Sequence, residues 1–307
     1  MSGVSNVAVP FIQHDGKGLK VCEEGIRVIS GIQGKLAVVA VAGPYRTGKS
    51  FLLNQFIKAR DQHQQQQMKE GFQVGGTVNA CTKGIWVWGQ PIEVPDPLTP
   101  SKPTHPASAS ASAPASASKT KSTAVPGVVS SNKTTYIFLD TEGLGSLDQN
   151  ATFDTQTFSL ALLLSSLFLL NTQGTISESA LEQLELVVEC SKQIRIRESD
   201  KGETTAADLA AHFPAFMWVL RDFVLELQDE RGEAITSREY LEKALRPQNS
   251  GRHTEEKNRI RQVLSTVFPR RDCETLVRPV LDERELQKLN SLPADKLRYF
   301  PSPCLAY

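Results

Sequence analysis

The chain has 307 residues, is 40% apolar, and carries 34 basic against 34 acidic side chains. That length buries a core as one large domain or two small ones, and the zero net charge argues against a nucleic-acid partner bound through bulk charge. Five scattered cysteines without a C-x-x-C pair support neither a zinc site nor a disulfide framework; reduced thiols in a cytoplasmic protein are expected.

The first residues, Met1-Ser2-Gly3-Val4-Ser5-Asn6, lack the basic-then-apolar pattern of a secretory signal. Leu36-Ala37-Val38-Val39-Ala40-Val41 is a continuous apolar run and predicts a buried parallel strand. It leads into Gly43-Pro44-Tyr45-Arg46-Thr47-Gly48-Lys49-Ser50, which fills the G-x-x-x-x-G-K-[ST] template, and a helical pattern starts at Phe51. Strand, glycine loop and helix together make a phosphate site. Backbone N–H groups of the loop and the positive helix end wrap the phosphates of a nucleoside triphosphate. Lys49 reaches the outer phosphates and the Ser50 hydroxyl is a ligand for Mg²⁺.

Past that helix lies Gln62-His63-Gln64-Gln65-Gln66-Gln67, expected to be a solvated extension of the helix or of the next loop. The segment from Gly75 to Gly84 takes the place of a first switch, whose threonine can give Mg²⁺ a second hydroxyl and sense the γ-phosphate. Thr82 is the candidate and Thr77 the less well placed one; a threonine that merely caps the following strand is the alternative. Gly84-Ile85-Trp86-Val87-Trp88 and Thr135-Tyr136-Ile137-Phe138-Leu139 are strand candidates. Between them, residues 93–133 are rich in Pro, Ser and Ala and poor in aliphatics, so disorder is expected. With a strand at each end, this insertion reads as a swollen hairpin loop within one domain.

Asp140-Thr141-Glu142-Gly143 follows the second of those strands. Asp-x-x-Gly at a strand's carboxyl end supplies a carboxylate for the Mg²⁺ environment, Asp140, and a backbone N–H for the γ-phosphate, Gly143. The apolar stretch Phe158 to Leu170 is broken by Ser165 and Ser166 and too short to span a bilayer. No transmembrane segment is expected, and association with a membrane surface is left open. Leu160 to Leu170 instead reads as a buried helix, followed after Thr175 by an amphipathic one carrying Leu181, Leu184, Leu186, Val187 and Val188. Phe213 to Leu220 is another strand candidate. Strands alternating with helices imply an α/β fold with a mostly parallel sheet covered on both faces.

Asn-Lys-x-Asp is absent from the sequence. The late strand ends instead in Arg221-Asp222. An aspartate there can accept from guanine N1–H and the exocyclic amine, whereas adenine would present an acceptor to it. Arg221 either packs against the base or orders the loop.

The strings Tyr45-Arg46-Thr47-Gly48-Lys49-Ser50, Thr82-Lys83-Gly84-Ile85-Trp86-Val87-Trp88, Asp140-Thr141-Glu142-Gly143 and Leu220-Arg221-Asp222-Phe223 resemble those of the guanylate-binding proteins, large GTPases of the dynamin superfamily. The likeness runs from about Val9 to Phe300, leaving out the insertion. It implies a P-loop large-GTPase fold and GTP hydrolysis with Mg²⁺ held by Ser50 and Thr82. Also implied are guanine reading by Asp222, Glu142 and Gly143 shaping the second switch around the attacking water, and Arg46 as a finger in cis on head-to-head dimerisation. Phe268-Pro269-Arg270-Arg271-Asp272-Cys273 resembles the family's guanine cap. Family members place a serine two residues before the switch threonine; here it is Ala80, so slow turnover is expected, the alternative being a guanine-nucleotide-gated interaction module with little hydrolysis. They also continue into a long helical domain. Residues 1–280 are therefore expected to form the GTPase domain, and 281–307 the start of a helical domain that is truncated or absent. Cys304-Leu305-Ala306-Tyr307 is not expected to be lipidated, since tyrosine is an unusual last residue for that signal.

Overall fold

A computed structural model describes residues 7–16, 18–60, 71–74, 84–95, 133–143, 151–198, 210–251 and 253–298. They contain one nine-stranded mixed sheet, ordered β2-β1-β4-β6-β3-β7-β8-β9, with β5 also paired to β6. β3 (Lys35–Ala42), β6 (Lys133–Thr141), β7 (Leu167–Gln173), β8 (Ala215–Arg221) and β9 (Arg271–Leu276) run parallel to one another. The antiparallel part is β1 (Ala8–His14), β2 (Leu19–Val21), β4 (Ile85–Trp88) and β5 (Ile92–Pro95).

Alternation along the central strands sorts their side chains between two layers. Val39, Val41, Phe138, Leu169, Met217 and Val219 face α2 (Lys49–Arg60), which contributes Leu52, Leu53, Phe56 and Ile57. Ala40, Ala42, Leu139, Phe168, Leu170, Trp218 and Leu220 face the other way. That layer holds α1 (Glu23–Ser30), α3 (Ala151–Leu164), α4 (Glu178–Glu198), α5 (Ser237–Ala244) and α6 (Thr254–Val267). The expected α/β architecture, a mostly parallel sheet with helices on both faces, is what the chain adopts. Among the described residues no helix is long and apolar enough to cross a membrane.

β5 runs along β6 with Pro95 opposite Lys133, so the ends of the Pro/Ser/Ala-rich segment are cross-strand partners. This is the geometry of a loop within a hairpin. Residues 61–70 and 96–132, which hold the Gln-rich and Pro/Ser/Ala-rich tracts, lie outside the described residues.

One expectation needs correction. Leu160 to Leu170 is not a single helix: α3 ends at Leu164 and β7 starts at Leu167. The two serines make the break. Ser165 turns its hydroxyl back to the Leu162 carbonyl, and Ser166 exchanges bonds with Val38, its N–H to the carbonyl at 2.8 Å and its Oγ accepting from the N–H at 3.1 Å. That docking starts the parallel ladder between β3 and β7. A run that is apolar at nearly every position carries no period that distinguishes helix from strand.

Candidate functional site

The parallel strands β3, β6, β7 and β8 end on one side of the sheet, where an open α/β sheet places its ligand crevice. A cleft of about 320 Å³ lies there, lined by Tyr45 to Phe51, Gln73, Val74, Thr141, Gly143, Gln173, Arg221, Asp222, Arg278, Pro279, Leu286 and Leu289. Leu286 ends the short helix α7 (Glu283–Leu286). The glycine loop, the acidic turn and the Arg-Asp pair, widely separated in sequence, converge on this one cleft.

The loop is clamped from below by a residue that the sequence reading missed. Asn171, fully buried on β7, donates through Nδ2 to the Thr47 carbonyl at 2.9 Å and to Thr47 Oγ1 at 2.8 Å. Thr47 Oγ1 in turn donates to the Pro44 carbonyl at 2.9 Å. Gly43 passes so close that a Cβ there would lie 2.1 Å from the Asn171 carbonyl oxygen, and its φ of 146° also demands glycine. A lone asparagine closing the run Leu167–Leu170 was the available signal, hidden by the helical reading of that run.

Lys49 opens α2 with 6% of its surface exposed and donates to the Pro44 carbonyl at 3.1 Å. Burial pulls its pKa down to about 8, against the opposing pull of the Asp140, Glu142 and Asp154 carboxylates. A phosphate oxyanion beside the ammonium restores what burial removes. Ser50 Oγ donates to Asp140 Oδ2 at 2.6 Å, and Asp140 is fully buried at the end of β6. A hydroxyl braced by a carboxylate is a hard-oxygen donor set suited to Mg²⁺, which takes one or two protein oxygens and completes its shell with water and phosphates. Among the described residues there is no cluster of three His, Cys, Asp or Glu side chains able to hold a metal on its own. The second expected hydroxyl, Thr82, lies outside the described residues, as do Thr77 and Ala80.

Gly143 fits against the loop with no room for a side chain: a Cβ would lie 2.4 Å from Tyr45 Cα and 3.0 Å from Lys49 Nζ. Glu142 is buried and turned toward β4, its Oε2 accepting from Gly84 N–H at 3.2 Å while its own N–H donates to the Gly84 carbonyl at 2.9 Å. It thus ties the acidic turn to the start of β4. Arg46 is exposed at the cleft mouth with φ of 65°, its guanidinium 5.2 Å from the centre of the Tyr45 ring. Tyr45 and Thr47 belong to the loop wall, and Phe51 is buried beneath it.

Arg221 is buried under the loop and donates to the Gly48 carbonyl at 3.3 Å. Burial lowers its pKa to about 10, with Asp222 opposing, so it stays charged at neutral pH. Asp222 follows with φ of 55°, a left-handed conformation that aspartate tolerates better than most residues, and lines the cleft. Gln173, at the end of β7, donates to Asp222 Oδ2 at 3.0 Å.

The guanine-cap expectation for Phe268–Cys273 does not hold. Arg271 to Leu276 is the edge strand β9, parallel to β8, with Arg271 opposite Phe216 at the start of β8 and Leu276 opposite Arg221 at its end. The segment therefore sits at the opposite end of the sheet from Asp222. Phe268 stacks on Phe216 with 4.7 Å between ring centres. Arg271 makes a forked ion pair with Glu242 of α5 at 2.9 and 2.7 Å. These are packing roles. Pro269 to Asp272 do line a second hollow, of about 470 Å³, with Ala37, Tyr136 and Ala215 at the strand starts, remote from the loop.

Residues 16–109 and 110–300 match the N-terminal domain of guanylate-binding proteins. Guanylate-binding proteins 6 and 3 of Mus musculus are 35% and 36% identical to this chain over 94% and 91% of its length. Guanylate-binding protein 2 of Homo sapiens is 35% identical over 83% of it. The chain spans 40%, 38% and 36% of those three relatives, respectively.

Proposed function

We propose that this chain, which belongs to the guanylate-binding protein family, binds GTP in the cleft described above and hydrolyses it with Mg²⁺. The observation that carries the reading is the make-up of that one cleft, which the loop with Lys49 and Ser50, Gly143 and Asp222 line together. Phosphates lie along the loop N–H groups and the α2 N-terminus. Lys49 sits against the outer phosphates and the Gly143 N–H donates to the γ-phosphate. Ser50, braced by Asp140, and Thr82 would hold Mg²⁺, which would supply positive charge to offset that of the outer phosphates. Asp222 accepts from the guanine edge, and Arg221 holds the loop to the strand that carries it.

Water attacks the γ-phosphate in line, displacing GDP, and Arg46 moves off the Tyr45 ring to meet the developing charge. Head-to-head dimerisation of two such domains, promoted by the triphosphate, is the event that moves it. Glu142 keeps the second switch in register with the first through Gly84. Residues 1–280 form the GTPase domain, and the segment from 281, whose Leu286 and Leu289 wall the cleft, leads toward the family's helical domain. Cys22, Cys190 and Cys273 are free thiols, in keeping with a cytoplasmic location. Ala80 favours the second reading, a guanine-nucleotide-gated interaction module with little hydrolysis.

The test is competition of GTP against ATP for the purified chain with Mg²⁺, alongside Lys49→Ala. Preference for GTP, lost together with binding in the variant, is expected. Equal affinity for both nucleotides, or unchanged binding by Lys49→Ala, would overturn the assignment.

A further inference from the structure

The base end of the cleft contains a polar side chain to which the motifs assign no part. Gln173 and Arg221 are opposite each other in the parallel ladder of β7 and β8, and the Gly174 N–H donates to the Arg221 carbonyl at 2.8 Å just beyond. The backbone therefore fixes Gln173 beside Asp222. Gln173 is exposed and lines the cleft. A long side chain on a rim gains little by being held there unless its amide has a partner, and that partner is Asp222 Oδ2 at 3.0 Å.

We propose that Gln173 is a positioning residue for base selection, orienting the Asp222 carboxylate toward the Watson–Crick edge of a guanine nucleotide. The proposal rests on the reading of Asp222 as the guanine acceptor. An ionised carboxylate has about four lone-pair sites. Guanine N1–H and the exocyclic amine take two, so the amide of Gln173 occupies a third without displacing the base. A hydrogen bond to a charged acceptor is among the stronger kinds. Here it holds the carboxylate in one orientation before the nucleotide arrives, which reduces the ordering cost of binding. Adenine offers an acceptor where guanine offers a donor, so it gains nothing from this arrangement.

The experiment measures GDP and ADP dissociation constants by displacement of a fluorescent GDP analogue from the full chain. Wild type is compared with Gln173→Leu, Gln173→Glu and Asp222→Ala. Glutamate keeps the shape of glutamine but replaces its donor with a second carboxylate. Gln173→Leu is expected to weaken GDP about three- to tenfold and Gln173→Glu by more than about tenfold, with ADP unchanged in both. If Asp222→Ala reduces the preference for GDP while both Gln173 variants keep it within twofold, the role of Gln173 is refuted and the role of Asp222 stands. Equal weakening of GDP and ADP by the Gln173 variants would also refute it, since a general scaffold role predicts that result. If Asp222→Ala leaves the preference intact, the guanine reading itself fails, and this proposal with it.

Discussion

Replacing Asn171 by alanine removes the clamp beneath the phosphate loop without touching a residue that meets the nucleotide. Two donations to Thr47 are lost, to its carbonyl at 2.9 Å and its hydroxyl at 2.8 Å. Each is worth about 1 kcal/mol net, and a buried carbonyl left without its donor costs about 1–3 kcal/mol more. Thr47 is 7% exposed and Asn171 fully buried, so water replaces little of this. A loss of about 3 kcal/mol follows, which for a domain of this size lowers the melting temperature by about 5–10 °C. The loop is then no longer held in its binding form, and GDP affinity falls by about tenfold or more. Thermal unfolding and a GDP titration read both effects, with Thr47→Ser as a near-neutral control that keeps the hydroxyl. An Asn171→Ala protein that melts within 1 °C of wild type and binds GDP normally would show that the clamp does not hold the loop.

Three more expectations concern neighbouring residues. Burial places Lys49 near pKa 8 without nucleotide, and a bound phosphate raises it. About half a proton is therefore taken up with GDP at pH 8, which calorimetry in two buffers of different ionisation enthalpy detects, and GDP affinity falls as pH rises from about 7 to about 9. Gly143→Ala puts a methyl group within 2.4 Å of the Tyr45 backbone and pushes the acidic turn off the loop. Phosphate release should drop by about tenfold or more while GDP, which lacks the γ-phosphate, binds nearly as before. Ala80→Ser should raise single-turnover hydrolysis, and an unchanged rate would remove this position as the source of slow turnover.

The parts of the fold legible in the sequence were those with a local signal. β3 is an uninterrupted apolar run ending in a glycine loop, and β6 ends in Asp-x-x-Gly, so strand and site announce each other. β7 was not legible, because Leu160 to Leu170 is apolar on every side and two serines, rather than a Gly or Pro, mark the turn from helix to strand. With β7 went Asn171 and Gln173, whose roles arise only when that strand is laid between β3 and β8. The misplacement of Phe268–Cys273 has a similar origin. A short motif does not say which end of the sheet it occupies, and the parallel pairing of β9 with β8 decides that through contacts about fifty residues apart in sequence. Arg221 was legible as a site residue, but its position under Gly48 depends on the packing of β8 against the loop.

The proposed reaction is GTP hydrolysis in this cleft with Arg46 supplied in cis. Phosphate release from GTP by the purified chain, measured over a range of protein concentrations with Arg46→Ala in parallel, tests it most directly. Specific activity is expected to rise with concentration and to collapse in the variant. Tight guanine-nucleotide binding with negligible release at every concentration, or release unaffected by Arg46→Ala, would contradict it.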